Sequence, residues 1–279
     1  MIRTLRVTVL ADNSIYVPGL VSEHGLSMLI EADRYRLLFD TGQGDVFLQN
    51  ARTLGCTLGS LDAIVISHGH FDHTGGLEHA LHQGGVPRVF LHPAALSRRF
   101  SGGDTAPVRS IGIPPKPLKA IEAIPDRLVW TRSSTEIAPG VWCTGEIPRV
   151  APPDIDNGRF FLDDECREPD LLPDDQALFI ETAKGVVVLA GCTHAGVANT
   201  LDLITRLTGR NEVFAVIGGL HLKGAPPGAW DAAADALHQR DVHLIAPCHC
   251  TGPNAWSHLH SRFGARVQQT GAGCRFTLE

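Results

Sequence analysis

Directly after the apolar run Ala63-Ile64-Val65-Ile66 the chain reads Ser67-His68-Gly69-His70-Phe71-Asp72-His73-Thr74-Gly75-Gly76. Three imidazoles and a carboxylate fall within six positions, where a buried strand must give way to a turn. Crowded together without a partner, such groups repel when protonated and waste hydrogen-bonding capacity when buried. A divalent cation removes both difficulties, because neutral imidazole and carboxylate are good ligands for zinc, iron or manganese. A solvated polar turn tolerates histidine but has no reason for the order His-x-His-x-Asp-His before Thr-Gly-Gly. A chain carrying this run must fold so that a strand end meets a metal ion.

Three further positions share its pattern of apolar strand, ligand-type side chain and small residues that let the backbone turn close to an ion. Asp40 follows Leu37-Leu38-Phe39 and precedes Thr41-Gly42. His194 follows Val186–Ala190 within Gly191-Cys192-Thr193-His194-Ala195-Gly196. His249 follows Leu244-Ile245-Ala246 within Pro247-Cys248-His249-Cys250-Thr251-Gly252. The remaining histidines, among them His24, His79, His82, His92, His238, His243, His258 and His260, read as surface or packing residues. Cys248 and Cys250 read as packing thiols facing away from His249.

The surrounding pattern is mixed. Leu5–Leu10, Ser27–Glu31, Arg36–Phe39, Leu61–Ile66 and Arg88–Leu91 read as strands, with helices over Asp45–Leu54, Leu77–His82 and Ala94–Phe100. The last third alternates again. A hairpin spans Ala177–Glu181 and Gly185–Ala190, with helices over Val197–Leu207, Ala229–Arg240 and Asn254–Phe263. Strands cover Glu212–Ile217, Val242–Ala246 and Ala272–Thr277. Helix-linked strands together with hairpins predict an α/β chain of two mixed sheets packed face to face with helices outside, not one doubly wound sheet. Residues 1–279 then form a single domain. A Pro- and Gly-rich, lid-like insertion is expected at about 101–175, with strands only over Arg127–Thr131 and Gly140–Thr144.

Composition narrows the function. With 43% hydrophobic residues the chain can bury a full core, and its net charge of −6 argues against a general nucleic-acid binder. The seven cysteines are odd in number, and Met1-Ile2-Arg3 leads straight into a strand-like alternation. No apolar run is long enough to span a bilayer. A reducing, cytoplasmic setting is the expectation. The expected partners are a small-molecule substrate and at most a second copy of the chain, with no nucleic acid and no membrane.

Phe39-Asp40-Thr41-Gly42, the Ser67–Gly76 run and the two later His-bearing strand ends occur in an order that resembles the metallo-β-lactamase superfamily over nearly the whole chain. The resemblance implies a four-layer αβ/βα sandwich with a dinuclear site at one edge of the sheets. His68 and His70 would hold one ion, and Asp72, His73 and His249 the other. Asp40 would orient a ligand imidazole. Two divalent ions are implied, with zinc expected before manganese or iron. The chain departs from the pattern at two places: Gly145 is followed by Glu146 instead of histidine, and Gly191 by Cys192 instead of aspartate. His194 is the expected nitrogen ligand, with a Cys192 thiolate bridge and Glu146 as alternatives.

Within the superfamily, Thr144–Arg149, Ala190–Gly196, Ile217–Leu222 and Cys248–Gly252 resemble the branch related to the dihydropterin–ribofuranosylaminobenzene phosphate synthase. The resemblance implies a metal-activated water acting on a small anionic substrate such as a phosphoester. Asp72 and His221 would be catalytic, and Arg149 and Lys223 would face the substrate. A synthase-type transferase, a lactonase and a non-catalytic ligand-binding descendant are the alternatives. Phe160 and Phe161 would cap an aromatic substrate or form part of a lid core.

Overall fold

In the computed structural model, which describes residues 1–103, 106–151 and 159–279, the apolar alternation of the first forty residues becomes an antiparallel meander. Its strands are Leu5–Ala11 (β1), Ser27–Ala32 (β2) and Tyr35–Phe39 (β3). Val46–Thr53 (α1) crosses to Ala63–Val65 (β4), which runs parallel to β3. Two short helices, Phe71–Thr74 (α2) and Leu77–Leu81 (α3), lead to Arg88–Leu91 (β5), again parallel.

The middle holds more regular structure than its composition suggests. Ala94–Phe100 is not a helix: a 3-10 turn over Pro93–Leu96 gives way to strand Phe100–Gly103 (β6). Ala106–Ser110 (β7), Pro115–Glu122 (α4), Leu128–Trp130 (β8), Thr135–Ala138 (β9), Val141–Cys143 (β10) and Phe160–Phe161 (β11) follow. Glycine and serine leave β6 without an alternating apolar signal, which hides it from pattern reading. Pro152-Pro153-Asp154 lies outside the described residues.

The last third contains Ala177–Thr182 (β12), Gly185–Ala190 (β13), Val197–Thr208 (α5), Val213–Gly219 (β14), Pro227–Gln239 (α6), Leu244–Cys248 (β15), Pro253–Phe263 (α7) and Arg275–Leu278 (β16). Three sheets result. One runs β16-β1-β2-β3-β4-β5-β8, the second β15-β14-β13-β12-β10-β9, and a small third β11-β6-β7.

The two large sheets bury one shared core. Val7, Met28, Ile30, Leu37, Phe39 and Phe90 of the first pack with Leu178, Ile180, Val187, Leu189 and Ile217 of the second. The outer face of the first sheet packs on Phe47, Leu48, Leu77 and Ile121 from its helices. The outer face of the second packs on Leu201, Ile204, Leu237 and Leu259. This is a metallo-β-lactamase-type αβ/βα sandwich, with a helix layer on each side of the sheet pair. Among the described residues, no helix is long and apolar enough to cross a membrane.

Strand direction positions the site. β3, β4 and β5 are mutually parallel, and so are β13, β14 and β15. The polar segments after β3, β4, β13 and β15, together with the turn after β1, meet at one edge of the sandwich, as their side-chain contacts below show. Among the described residues eight non-glycine positions have left-handed backbone, and Asp40, Thr193 and His249 among them sit just past these strand ends, with His221 past β14. Backbone strain concentrated in this way is typical of functional sites.

Candidate metal centre

Asp40 is the buried hub. Its Oδ1 accepts the Ser67 backbone N–H at 2.7 Å, and its Oδ2 accepts the Ser67 hydroxyl at 2.7 Å. The same Oδ2 lies 2.7 Å from His73 Nδ1. A Nδ1–H held by a carboxylate leaves the Nε2 lone pair facing the site. Gly191 makes this packing possible, since a Cβ there would come within 2.2 Å of Ser67 Oγ.

Around this hub, ligand-type atoms converge. His68 Nε2 lies 2.9 Å from His70 Nδ1 and 3.2 Å from His194 Nε2. Cys192 Sγ lies 3.3 Å from His73 Nε2. Nitrogens bound to one tetrahedral ion at 2.0–2.1 Å stand about 3.3 Å apart, so these spacings resemble edges of a coordination polyhedron. Two sets have all their ligand atoms within 4.8 Å of one another: His68, Cys192 and His194, and His73, Cys192 and His249. Cys192 belongs to both. His24, Asp72 and His249 form a further set, and Cys192, His221 and Cys250 another.

The electrostatics suit a cation. Burial, reinforced by neighbouring imidazoles, pushes His68 and His194 well below the ordinary histidine value. Burial and the Arg99 charge bring His70 down to about 3. These rings are therefore neutral, the form that ligates. Burial would raise Asp72, but the imidazoles packed around it, His73 and the hydrogen-bonding His249 foremost, outweigh it and hold the carboxylate below its usual range. Burial would lower His249, yet its contact with Asp72 and the charges of Cys250 and Asp12 lift it to about 9. Burial pushes the Cys192 thiol well up. His70 Nε2 is buried with no hydrogen-bond partner among the described residues. Neutral nitrogens, an ionised carboxylate and a thiol around such an orphan atom fit a divalent ion.

Residues far apart in sequence support these ligands. The wholly buried Arg99 donates to Asp174 through Nη1 at 2.8 Å and through Nη2 at 2.5 Å, and its Nε lies 2.9 Å from Asp170. Asp174 Oδ2 also accepts the Gly69 N–H at 2.7 Å, fixing the turn between His68 and His70. Asp12 accepts the His249 N–H at 2.8 Å, and Asn13 Oδ1 lies 2.9 Å from His249 Nδ1.

Of the residues singled out in the sequence, His68, His70, Asp72, His73, His194, His249, Asp40 and Cys192 come together here. His194 and Cys192, weighed as alternatives, stand side by side. His221 is at the rim, its ring centroid 4.2 Å from that of His194. Lys223 is exposed, with its backbone N–H on the Cys250 carbonyl. Arg149 is half-buried, and its charge opposes the burial that raises Asp170 and Asp175. Glu146 is exposed and belongs to none of the ligand sets. His24, read as a surface or packing residue, is exposed and places Nε2 at 3.2 Å from Asp72. Cys250, read as a packing thiol, accepts the His221 N–H. Asp12, Asn13, Arg99 and Asp174 were missed. Asp12-Asn13 carries the same strand-end signal as Asp40, whereas Arg99 and Asp174 carry none.

The chain is 32% identical, over 95% of its length and 94% of the relative's, to the 7,8-dihydropterin-6-methyl-4-(β-D-ribofuranosyl)-aminobenzene-5'-phosphate synthase of Methanocaldococcus jannaschii. Among solved structures, Tm1679, described as a metal-dependent hydrolase of the β-lactamase superfamily, is 30% identical with a TM-score of 0.79, covering 98% of both chains. A diphosphatase of the PhnP family, 12% identical, matches the fold alone with a TM-score of 0.55 over 100% of this chain and 98% of its own. The sequence profile of the metallo-beta-lactamase superfamily matches residues 22–249. With that match spanning the strand ends that gather these side chains, the chain belongs to the metallo-β-lactamase superfamily.

Proposed function

We propose that the protein is a metal-dependent hydrolase with a dinuclear site, acting on a small anionic substrate such as a phosphoester. The observation that carries this reading is Cys192, shared between the His68–His194 pair and the His73–His249 pair. A thiol between two nitrogen sets suits two borderline-soft ions, zinc first. His70 joins the first set through His68, and Asp72 joins the second through His249. When bound, the two cations supply an acidified water and polarise a phosphoryl or carbonyl oxygen.

The chain's own residues do the rest. Asp40 and Ser67 hold His73 in its ligating tautomer. Ionised Asp72 orients groups between His249 and His24. The His221 ring lies against those of Phe160 and His194, where it would meet a substrate seated on the cluster. The Phe160 ring, with its centroid 5.1 Å from His70 and 5.5 Å from His194, walls the cluster on one side and excludes water there. The free thiols fit a cytoplasmic setting, and the acidic balance fits a small molecule better than nucleic acid.

A second reading, group transfer, is favoured by the synthase relative. The same residues would then hold a departing diphosphate while an aromatic amine attacks. The test is a screen of zinc-, manganese- and iron-loaded protein against phosphodiesters, phosphotriesters, lactones, thioesters and a pterin diphosphate with and without an aromatic amine. Metal-dependent phosphoester cleavage that disappears in the His68→Ala/His70→Ala variant is expected. Turnover only when diphosphate and amine are both present selects transfer. Full turnover after chelation refutes both readings.

A further inference from the structure

A cleft of about 570 Å³ opens beside the metal cluster, with Phe160 and His221 in its wall together with Arg109, Arg159 and Lys223. Phe160 and His221 join it to the cluster, since both rings pack against His194. The chain as a whole carries a net charge of −6, yet among the described residues no carboxylate lines this cleft and three cations do. None of the three is ion-paired with a carboxylate among the described residues, so nothing there offsets their charge.

The small third sheet explains why these groups share a wall. Phe160 of β11 is in register with Ser101 of β6, and Ser101 is in register with Arg109 of β7. Residues directly opposite across strands project from the same face, so the ring and the guanidinium stand in one row. Arg159 precedes Phe160, and its carbonyl accepts the Gly102 N–H at 3.3 Å. Lys223 comes from the segment between β14 and α6, with its backbone pinned to the Cys250 carbonyl at 3.0 Å. One wall comes from the small sheet and the other from the loop that leaves β14 of the second large sheet.

We propose that this cleft is a second anion subsite, holding a phosphate group of a substrate whose reacting end lies on the metal cluster. It rests on the two-metal reading above and adds that the substrate is doubly functional. A reactive ester or diphosphate lies at one end and a separate phosphate at the other, with a flat or apolar middle against Phe160. Guanidinium forks match phosphate oxygens two at a time, and the lysine adds a third positive charge. The cleft volume is within the range of small-ligand sites.

The probe is phenyl phosphate, which carries a ring and a phosphate but no second anion. Its binding is measured by calorimetry on the metal-loaded protein and on the same protein after chelation. The expected result is binding in both forms that weakens at least about tenfold in Arg109→Gln/Arg159→Gln. It is only partly restored in Arg109→Lys/Arg159→Lys, which keeps the charge but not the fork, and falls with added salt. Both arginines are exposed, so the fold should survive these changes, and the lysine variant controls for it. Binding that requires metal and ignores the arginine variants places the phosphate on the ions alone. That overturns the subsite while leaving the two-metal reading intact. No binding in either form also overturns it. Failure of the two-metal reading would show separately, as a zinc content below two per chain.

Discussion

Replacing Asp174 with alanine should both destabilise the protein and loosen its metal centre. The Asp174 side chain is wholly buried and accepts two hydrogen bonds from Arg99 and one from the Gly69 backbone. Breaking a buried ion pair by removing one partner costs about 3–5 kcal/mol, because a charge is left uncompensated. An unsatisfied Gly69 N–H adds about 1–3 kcal/mol. Arg99 keeps Asp170 at 2.9 Å and the Ala94 carbonyl at 3.1 Å, which softens the first loss. The expected total is about 4 kcal/mol, read by urea denaturation of chelated protein so that bound metal does not contribute. Burial tends to raise Asp174, but the Arg99 charge and hydrogen bonds outweigh it, so its folded-state pKa lies below the ordinary value. Its stabilisation is therefore fully present above about pH 4 and is lost as pH falls through the folded value. The difference between wild type and variant should shrink in acid. Gly69 also sits between His68 and His70, so zinc affinity should fall about 10–100-fold, as for other supports of metal ligands. A loss below about 1 kcal/mol would refute the buried-pair argument. A large loss with unchanged zinc affinity would refute the positioning role.

Cys192→Ala should lower zinc content at both positions, whereas His194→Ala should lower it at one; equal losses by metal analysis would count against a shared thiol. Zinc binding at pH 7 should release about two protons, one from His249, whose pKa is about 9, and one from the Cys192 thiol. Calorimetry in buffers of different ionisation enthalpy measures this, and release of none would exclude both as ligands. Burial raises Asp175 to about 6 against the opposing Ala195 N–H and Arg149 charge, so the folded protein keeps a proton that the unfolded chain releases near pH 4. Stability from this group therefore falls as pH rises from about 4 to 6, by up to about 3 kcal/mol, and stays reduced above that. Asp175→Asn should flatten this slope in denaturation curves, and an unchanged slope would assign it to other groups.

The parts of the site legible in the sequence are those whose signal is local. His68, His70, Asp72 and His73 announce themselves by spacing alone. Asp40, His194 and His249 do so because each follows an apolar strand and precedes small residues. The same grammar predicts that parallel strands end together, which the β3–β4 and β13–β14–β15 ladders realise. The sandwich was legible for a related reason: helix-linked strands and hairpins in one chain need two mixed sheets to bury both kinds of face.

What stayed hidden depends on contacts between distant segments. Asp174 lies 105 residues from the Gly69 N–H that it accepts, and Arg99 lies 75 residues from Asp174. An arginine or aspartate is ordinarily a surface residue, and only the fold shows that these two exclude water from each other. His24 is a surface residue, as read, and only its 3.2 Å approach to Asp72 sets it apart from other exposed histidines. The small sheet was missed because Phe100-Ser101-Gly102-Gly103 has no apolar period, its strand character coming from partners on either side. The weakest local signals therefore belong to the segments that frame the cleft, while the strongest belong to the ligands. A ligand set must be assembled from side chains with few chemical substitutes, whereas a cleft wall needs only a backbone ladder and charges held in register.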